Sequence, residues 1–221
     1  MMIRLMPQLM LKPEDIRSTF AELLVTEGNR ARYFELTNHT NVQDISRDVK
    51  RPIPHGYRLL MISTRLGNDK FEIALVCDGL QEVVYYNQVI IVHYVDLKCR
   101  PATQQLVWRS TEFTHSAVLQ GLASAIFFDY ILQRYDVIMS DNTHTGEGQM
   151  FWQRRMSEAL ARNLLVYHYQ LMTCRLTQID DDKHLRALTD TLWGAEDAYK
   201  ENLAIISCKP LPLDIQISND N

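Results

Sequence analysis

The 221-residue chain lacks several features that mark common functional classes. Its 23 lysines and arginines are spread along the chain and its net charge is -4, so no basic face is dense enough to displace phosphate counterions from duplex nucleic acid. The four cysteines are far apart, with no CxxC pair and no mixed Cys/His cluster, which argues against zinc and favours a reducing compartment. We therefore expect neither a duplex nucleic-acid partner nor a metal.

Targeting and membrane signals are also missing. Residues 1–13 contain apolar side chains but are interrupted by charged residues and proline, and no small-residue cleavage site follows, so they do not resemble a signal peptide. No stretch approaches the roughly 18 uncharged apolar residues of a membrane helix. We expect a cytoplasmic protein with no membrane partner.

Common catalytic signatures are absent as well. The chain has no G-x-S-x-G, no Walker loop, no H-E-x-x-H and no G-x-G-x-x-G, and it shows neither an internal repeat nor a low-complexity segment. What remains is an ordinary globular composition, 46% apolar and 23% charged, with a length that allows one or two domains.

The first half of the chain predicts a helix followed by strands. Acidic residues and an apolar stripe predict a short helix at about 14–26, and a strand is expected at 33–36. The polar stretch 37–51 has the composition of an exposed loop. β-branched and aromatic runs separated by turns at 67–69 and 78–79 then predict an antiparallel meander and one further strand, at 57–66, 71–77, 83–95 and 104–109.

The second half alternates helices and strands. Residues 115–135 are apolar on nearly every side, which is typical of a buried helix. The later predicted elements are a strand at 136–140, an amphipathic helix ending near 163, a strand at 164–169, a helix at 180–200 and a strand at 203–209. This order predicts an α+β fold with a mixed, mostly antiparallel sheet flanked by helices.

The segment 109–116, between a predicted strand and the buried helix, is the first candidate site. A helix N-terminus presents unpaired amides and positive potential, so an anion such as a pyrophosphate could bind there, with Arg109 adding charge. The alternative is that Thr114 or Ser116 simply caps the helix.

Two further candidates follow in the chain. The loop 140–148 gathers an acid, an imidazole and hydroxyls, which general acid or base catalysis could use, although Thr145 and Glu147 also suit a well-capped helix. On the strand 164–169, Tyr167 and Tyr169 face one side, where a phenol could act as a general acid or could simply pack in the core.

The succession from about 57 to 170 of a meander, a buried helix, a short strand, a second helix and a strand resembles the GCN5-related N-acetyltransferase (GNAT) fold. In that fold the helix after the meander receives the coenzyme A pyrophosphate. The chain is also similar to a pattern found in acetyltransferase-like proteins of tailed bacteriophages, in the stretches 137–141, 145–146, 148, 151–152 and 165–167.

The resemblance implies an acyl-CoA-dependent N-acyltransferase, phage-encoded and working in a bacterial host cell on a host or virion macromolecule, with acetyl-CoA or another acyl-CoA as cofactor. It places the cofactor on Arg109 and on the amides of Thr114, His115 and Ser116. Asp141 or Glu112 would deprotonate the acceptor ammonium and Tyr167 would protonate the leaving thiolate. The substrate would contact Thr143, His144 and Glu147.

The alternative is a non-catalytic protein-interaction module of the same fold, such as a phage inhibitor of a host system or a virion component. The absence of glycine from 109–116 favours it, and the segments 37–56 and 180–182 could serve as docking surfaces. A homodimer through the apolar stripe of helix 180–200 is a third hypothesis, although the same stripe can cover its own sheet. In each case we expect a GNAT-like core at 57–178, with 1–56 packing on it and 179–221 completing the same domain.

Overall fold

The structure is a computed structural model that describes residues 18, 20–92, 99–139, 146–193 and 202–212. The chain forms two compact units. One, which we call the meander unit, comprises Leu11–Ile91 and Thr103–Gln133; the other, the C-terminal unit, comprises Met1–Met10, Val92–Ala102 and Arg134–Asn221. The three-part division expected from the sequence stays a prediction.

The meander unit is built on five strands that lie side by side in chain order. They are β1 (Val42–Asp44), β2 (Tyr57–Thr64), β3 (Gly67–Cys77), β4 (Glu82–Val92) and β5 (Ala102–Arg109). The pairs β1–β2, β2–β3 and β3–β4 are antiparallel, which confirms the predicted meander. Most of β3 and β4 is buried, as expected for strands rich in β-branched and aromatic residues.

The first hairpin turn was predicted two residues too late. Strand β3 already begins at Gly67, and the turn consists of Arg65 and Leu66. Thr64 and Gly67, which pair across the hairpin, have φ angles of 66° and 109°. The positive φ of glycine is therefore used at the start of a strand instead of inside the turn.

The predicted strand at 33–36 is wrong, because helix α1 (Thr26–Thr37) occupies this region. Tyr33 and Leu36 are both buried, and residues three positions apart lie on the same face of a helix. A short apolar run such as 33–36 can form either a helix or a strand, so the sequence pattern did not distinguish the two. Ahead of α1, residues Ser18, Phe20 and Ala21 are helical and Glu22–Leu24 form a 3₁₀ turn. The earlier part of the predicted helix 14–26 lies outside the described residues.

The polar stretch 37–51 is not simply an exposed loop. It contains β1, and Ile45 and Val49 are buried. The Lys50 amide donates to the Asp129 carboxylate (3.0 Å) and the Arg51 guanidinium to the Ala117 carbonyl (3.0 Å). The end of this stretch is thus hydrogen-bonded to the buried helix.

That buried helix, α2, is a helical stretch from Phe113 to Arg134 with several local geometries. A 3₁₀ turn (Phe113–His115) leads into short α segments (Ser116–Leu119 and Leu122–Ala125), then a π segment (Ile126–Ile131) and a last α turn (Leu132–Arg134). By length and composition alone this stretch is long and apolar enough to cross a membrane, although the sequence analysis expected no such stretch. Half of its most apolar 18-residue window is buried inside the protein, and the core helix of a soluble protein has the same length and composition. A single helix of this kind is weak evidence for a membrane span.

The C-terminal unit has four strands in the order β6-β9-β7-β8, antiparallel at every interface. Its elements are β6 (Asp136–Met139), α3 (Gly146–Ala161), β7 (Leu165–Gln170), β8 (Arg175–Ile179), α4 (Asp182–Ala187), α5 (Thr189–Trp193) and β9 (Asn202–Ser207). Strand β9, the last in the chain, lies between β6 and β7 in the sheet. Strand β8 was not predicted from the sequence. The described part of the predicted helix 180–200 is two short helices. The α+β class is confirmed.

Candidate functional site

The junction between β5 and α2 is held against strand β4. The Ser110 amide donates to the Val84 carbonyl (2.9 Å), and the Ser110 hydroxyl accepts from the Glu112 amide (3.1 Å). These bonds turn the chain from the strand into the first helical turn. They thereby place His115 beside the β2–β3–β4 face.

The His115 imidazole lies between a phenol and a carboxylate. Its Nδ1 is 3.0 Å from the Tyr57 hydroxyl, and its Nε2 is 2.6 Å from Oε1 of Glu82. Tyr57 pairs with Cys77 on β3, and Cys77 pairs with Glu82 on β4, so these three side chains share one face of the sheet. We call the hydrogen-bonded set of Tyr57, His115 and Glu82 the proton chain.

The chemistry of the partners assigns the His115 tautomer. An ionised carboxylate only accepts hydrogen bonds, so the imidazole proton belongs on Nε2 facing Glu82, and Nδ1 is left to accept from the Tyr57 hydroxyl. Burial, reinforced by the neighbouring Cys77 and Glu82, raises the pKa of the Tyr57 phenol. Tyr57 is therefore a neutral donor at pH 7.

Two exposed apolar side chains are near members of the proton chain in the sequence. Leu80, in the turn between β3 and β4, is 60% exposed, and Phe113, at the first residue of α2, is 89% exposed. Leu80 precedes Glu82 by two residues, and Phe113 precedes His115 by two residues; Glu82 and His115 are hydrogen-bonded to each other. A partner that covered either side chain would remove apolar surface from water.

Strand β5 is the accessible strand next to the junction. Residues 104–108 are all partly exposed, whereas residues 83–90 of β4 are buried. Partial exposure of consecutive residues means that side chains on both faces of β5 reach the surface. The strand could therefore lie along a bound ligand.

The predicted anion site at the start of α2 has fewer available donors than expected. The amides of His115 and Ser116 donate to the carbonyls of Glu112 and Phe113 within the turn. Arg109, Thr114 and Ser116 are exposed at the surface. His115 is instead buried, and both of its ring nitrogens have partners.

The remaining predicted site residues are the catalytic and substrate-binding candidates. Glu112 is exposed, and Tyr167, in the C-terminal unit, is buried with its hydroxyl accepting from the Leu211 amide (3.1 Å). The side chain of Glu147, in α3, lies outside the described residues. So do Asp141, Thr143 and His144.

The sequence pattern did not identify Tyr57 and Glu82 as site residues. They are 25 residues apart by their numbers and sit at the first positions of two strands, where neither forms a motif with His115. Only the register, which pairs both with Cys77, brings them together.

Within residues 20–92, 99–139, 146–193 and 202–212, no group of three or more His, Cys, Asp or Glu residues could hold a metal ion. No protein-family model, no curated protein and no solved structure matches the chain.

Proposed function

We propose that this protein is an acyl-CoA-dependent N-acyltransferase acting on a macromolecule. The observation that carries the proposal is the junction where the partly exposed strand β5 leads into the buried helix α2, with a Tyr–His–Glu proton chain beside it. Transfer of an acyl group to an amine requires a group that takes up the amine proton, and an imidazole held by a carboxylate suits that role.

The order of elements supports this proposal. A meander, a long apolar helix, a short strand, a second helix and another strand follow one another in the described residues, the same succession on which the resemblance to the GNAT fold is based. Exposed Leu80 and Phe113 favour a protein as acceptor over a small molecule, because large apolar side chains gain free energy when a partner covers them. In a phage-infected bacterium that acceptor would be a host or virion protein.

Acetyl-CoA binding tests the proposal directly. At a free concentration one hundred times its dissociation constant, the ligand should stabilise the folded protein by about 2.7 kcal/mol, seen as a raised melting temperature. Adenosine 3′,5′-bisphosphate serves as the control for the nucleotide half of the coenzyme alone. No shift at millimolar acetyl-CoA contradicts the proposal.

The second candidate is a non-catalytic interaction module. It is favoured by the engagement of the His115 and Ser116 amides within their own turn and by the lack of glycine in 109–116. Under this function, Phe113→Asp should abolish recovery of a stoichiometric partner from bacterial lysate. The control Met172→Asp, an 81% exposed position in the C-terminal unit, should leave it intact, and neither protein should respond to acetyl-CoA.

A further inference from the structure

We propose that the meander unit carries a self-association surface through which two copies of the chain form a two-fold dimer. The surface consists of Arg30, Leu80, Gln81, Glu112 and Phe113, and we call it the turn surface because it surrounds the turn between β3 and β4. The inference goes beyond the proposed function and does not depend on it. There the exposed apolar side chains would meet an acceptor protein, whereas here a second copy covers them.

Hydrogen bonds bring the three segments of the turn surface to one end of the sheet. Helix α1 contributes Arg30, whose Nη2 donates to Oε1 of Gln81 in the turn (2.6 Å). The proton chain, through its carboxylate–imidazole bond of 2.6 Å, joins the residue after Gln81 to the first turn of α2. Leu80 and Phe113 each lie two residues before a member of that bond. The two exposed apolar side chains are therefore at the same end of the meander unit.

Neither apolar side chain serves the core of the meander unit. Leu80 is 60% exposed in a turn, where glycine, asparagine and aspartate are the favoured residues. Phe113 is 89% exposed at the first residue of the 3₁₀ turn that opens α2. Removal of this apolar surface from water favours association, and a two-fold dimer covers each side chain in both copies.

Arg30 is held in place without being neutralised. Arg32 and Arg65 are each paired with a carboxylate. Within the part of the chain that the structure describes, Arg30 instead meets the neutral amide of Gln81 and lies over the Phe34 ring, 5.9 Å from its centroid. Gln81 has a left-handed φ of 55°, which costs free energy for a residue with a Cβ, so the turn loses stability where the amide holds the guanidinium. The charge of Arg30 is thereby fixed at the surface and available to a carboxylate.

Glu112 is the matching anion on the same surface. Its side chain is exposed, and among the residues that the structure describes no cation lies within ion-pair distance of its carboxylate. The turn surface thus has an unpaired cation near exposed Leu80 and an unpaired anion next to exposed Phe113. A two-fold axis places Arg30 of each copy opposite Glu112 of the other copy, so the ion pair forms twice. This self-complementarity identifies a second copy of the chain as the partner.

Sedimentation velocity of the full chain over a concentration series tests the dimer. We expect the wild type to shift from the mass of one chain to the mass of two as its concentration rises. Phe113→Asp and Leu80→Asp should each raise the dissociation constant about tenfold or more, because a charge replaces a covered apolar side chain. The control Met172→Asp, 81% exposed in the C-terminal unit, should dimerise like the wild type. A wild type that stays monomeric up to about 1 mM, or a dimer that Phe113→Asp leaves unchanged, overturns the proposal.

Charge exchange tests the pairing itself. Arg30→Glu and Glu112→Arg each place like charges opposite one another in a homodimer, so either variant alone should dissociate. In an equal mixture of the two, both reciprocal pairs again have opposite sign, and a dimer should return. Arg47→Glu, at an exposed arginine of the same unit, is the control and should dimerise like the wild type. No recovery on mixing refutes the arrangement. Acetyl-CoA binding plays no part in these measurements, so failure of the proposed function leaves their outcome unchanged.

Discussion

Asp78 joins three parts of the meander unit through its carboxylate. It accepts two hydrogen bonds from the Arg58 guanidinium, at 2.7 and 2.6 Å, and one from the Tyr33 hydroxyl at 2.8 Å. The bonds from Arg58 lower the pKa of Asp78, an effect that burial opposes and Tyr33 reinforces. Helix α1 and strand β2 are thereby connected to the turn after β3.

We expect the free energy of unfolding to fall less between pH 7 and pH 3 in Asp78→Asn than in the wild type. A carboxyl whose pKa is lowered on folding stabilises the fold above its ordinary pKa of 3.8, and this contribution is lost as the pH falls through the folded value. Both side chains are more than a third exposed, so solvent screening limits the neutral-pH loss to about 0.5 kcal/mol. Urea unfolding from pH 7 to pH 3 measures this. A variant as acid-sensitive as wild type contradicts it, and the exposed Asp190→Asn is the control.

Glu72 is the buried counterpart of this surface group. Its carboxylate is fully buried and accepts from Arg65 (2.7 and 2.5 Å) and from the Tyr86 hydroxyl (2.5 Å). Arg65 also reaches Glu35 on α1 (3.3 Å). Here the ion pair is shielded from solvent, so breaking it costs more than breaking the Asp78 contact.

Arg65→Met should destabilise the protein by about 3–5 kcal/mol, because it leaves the Glu72 charge buried without its cation. Denaturant unfolding measures the loss. The double variant Arg65→Met/Glu72→Met should recover part of it, since no unpaired charge remains. Arg47→Met, at an exposed arginine of the same unit, should be near neutral, and an equal loss there would show that the ion pair is not the cause.

At the scale of elements, α2 is interrupted by a glycine whose conformation the sequence pattern does not reveal. Gly121 separates two short α segments with a φ of 74°, a left-handed value that L-residues with a Cβ adopt at a cost. A Cβ there would meet Nη1 of Arg51 at 3.5 Å, an ordinary contact. The constraint is therefore conformational and not steric.

We expect Gly121→Ala to lower the free energy of unfolding by about 1 kcal/mol. Gly79→Ala is the matched control: Gly79 lies in a turn without the left-handed φ, and a Cβ there meets nothing within 4 Å, so this variant should be neutral or slightly stabilising. Thermal unfolding of the two variants side by side decides the matter. Equal effects would mean that α2 adopts a regular helical conformation at residue 121.

At the scale of the whole molecule, the chain forms two units that each have their own strands and buried apolar residues. The meander unit contains the proton chain and the Glu72 ion pair, whereas the C-terminal unit contains Tyr167 and the antiparallel β6-β9-β7-β8 strands. Each unit has backbone hydrogen bonds between its own strands, and we expect those of one unit to open separately from those of the other.

Native-state hydrogen exchange on Arg65→Met should show this division. We expect amide protection to fall strongly in β2, β3 and β4, which surround Glu72, and less in β7 and β9. The free energies of opening, read from exchange rates of the variant and wild type, provide the comparison. A uniform fall through all five strands would mean that the chain unfolds as a single cooperative unit.

Local pattern determined much of the architecture. The β-branched and aromatic runs specified β2, β3 and β4, and the apolar run after residue 112 specified a buried helix, because these signals are repeated over many residues. Short segments were ambiguous: 33–36 fitted both a strand and the helix that forms, and β8 offered only two buried apolar positions, Leu176 and Ile179.

The tertiary structure alone decided which polar groups meet. His115 could be picked out from the sequence by its place before an apolar helix, but its partners come from two strands whose register is set by hydrogen bonds to β3. Strand register depends on pairing over the whole meander, whereas helix and strand formation depends on neighbours along the chain. The same reason hid the burial of Glu72.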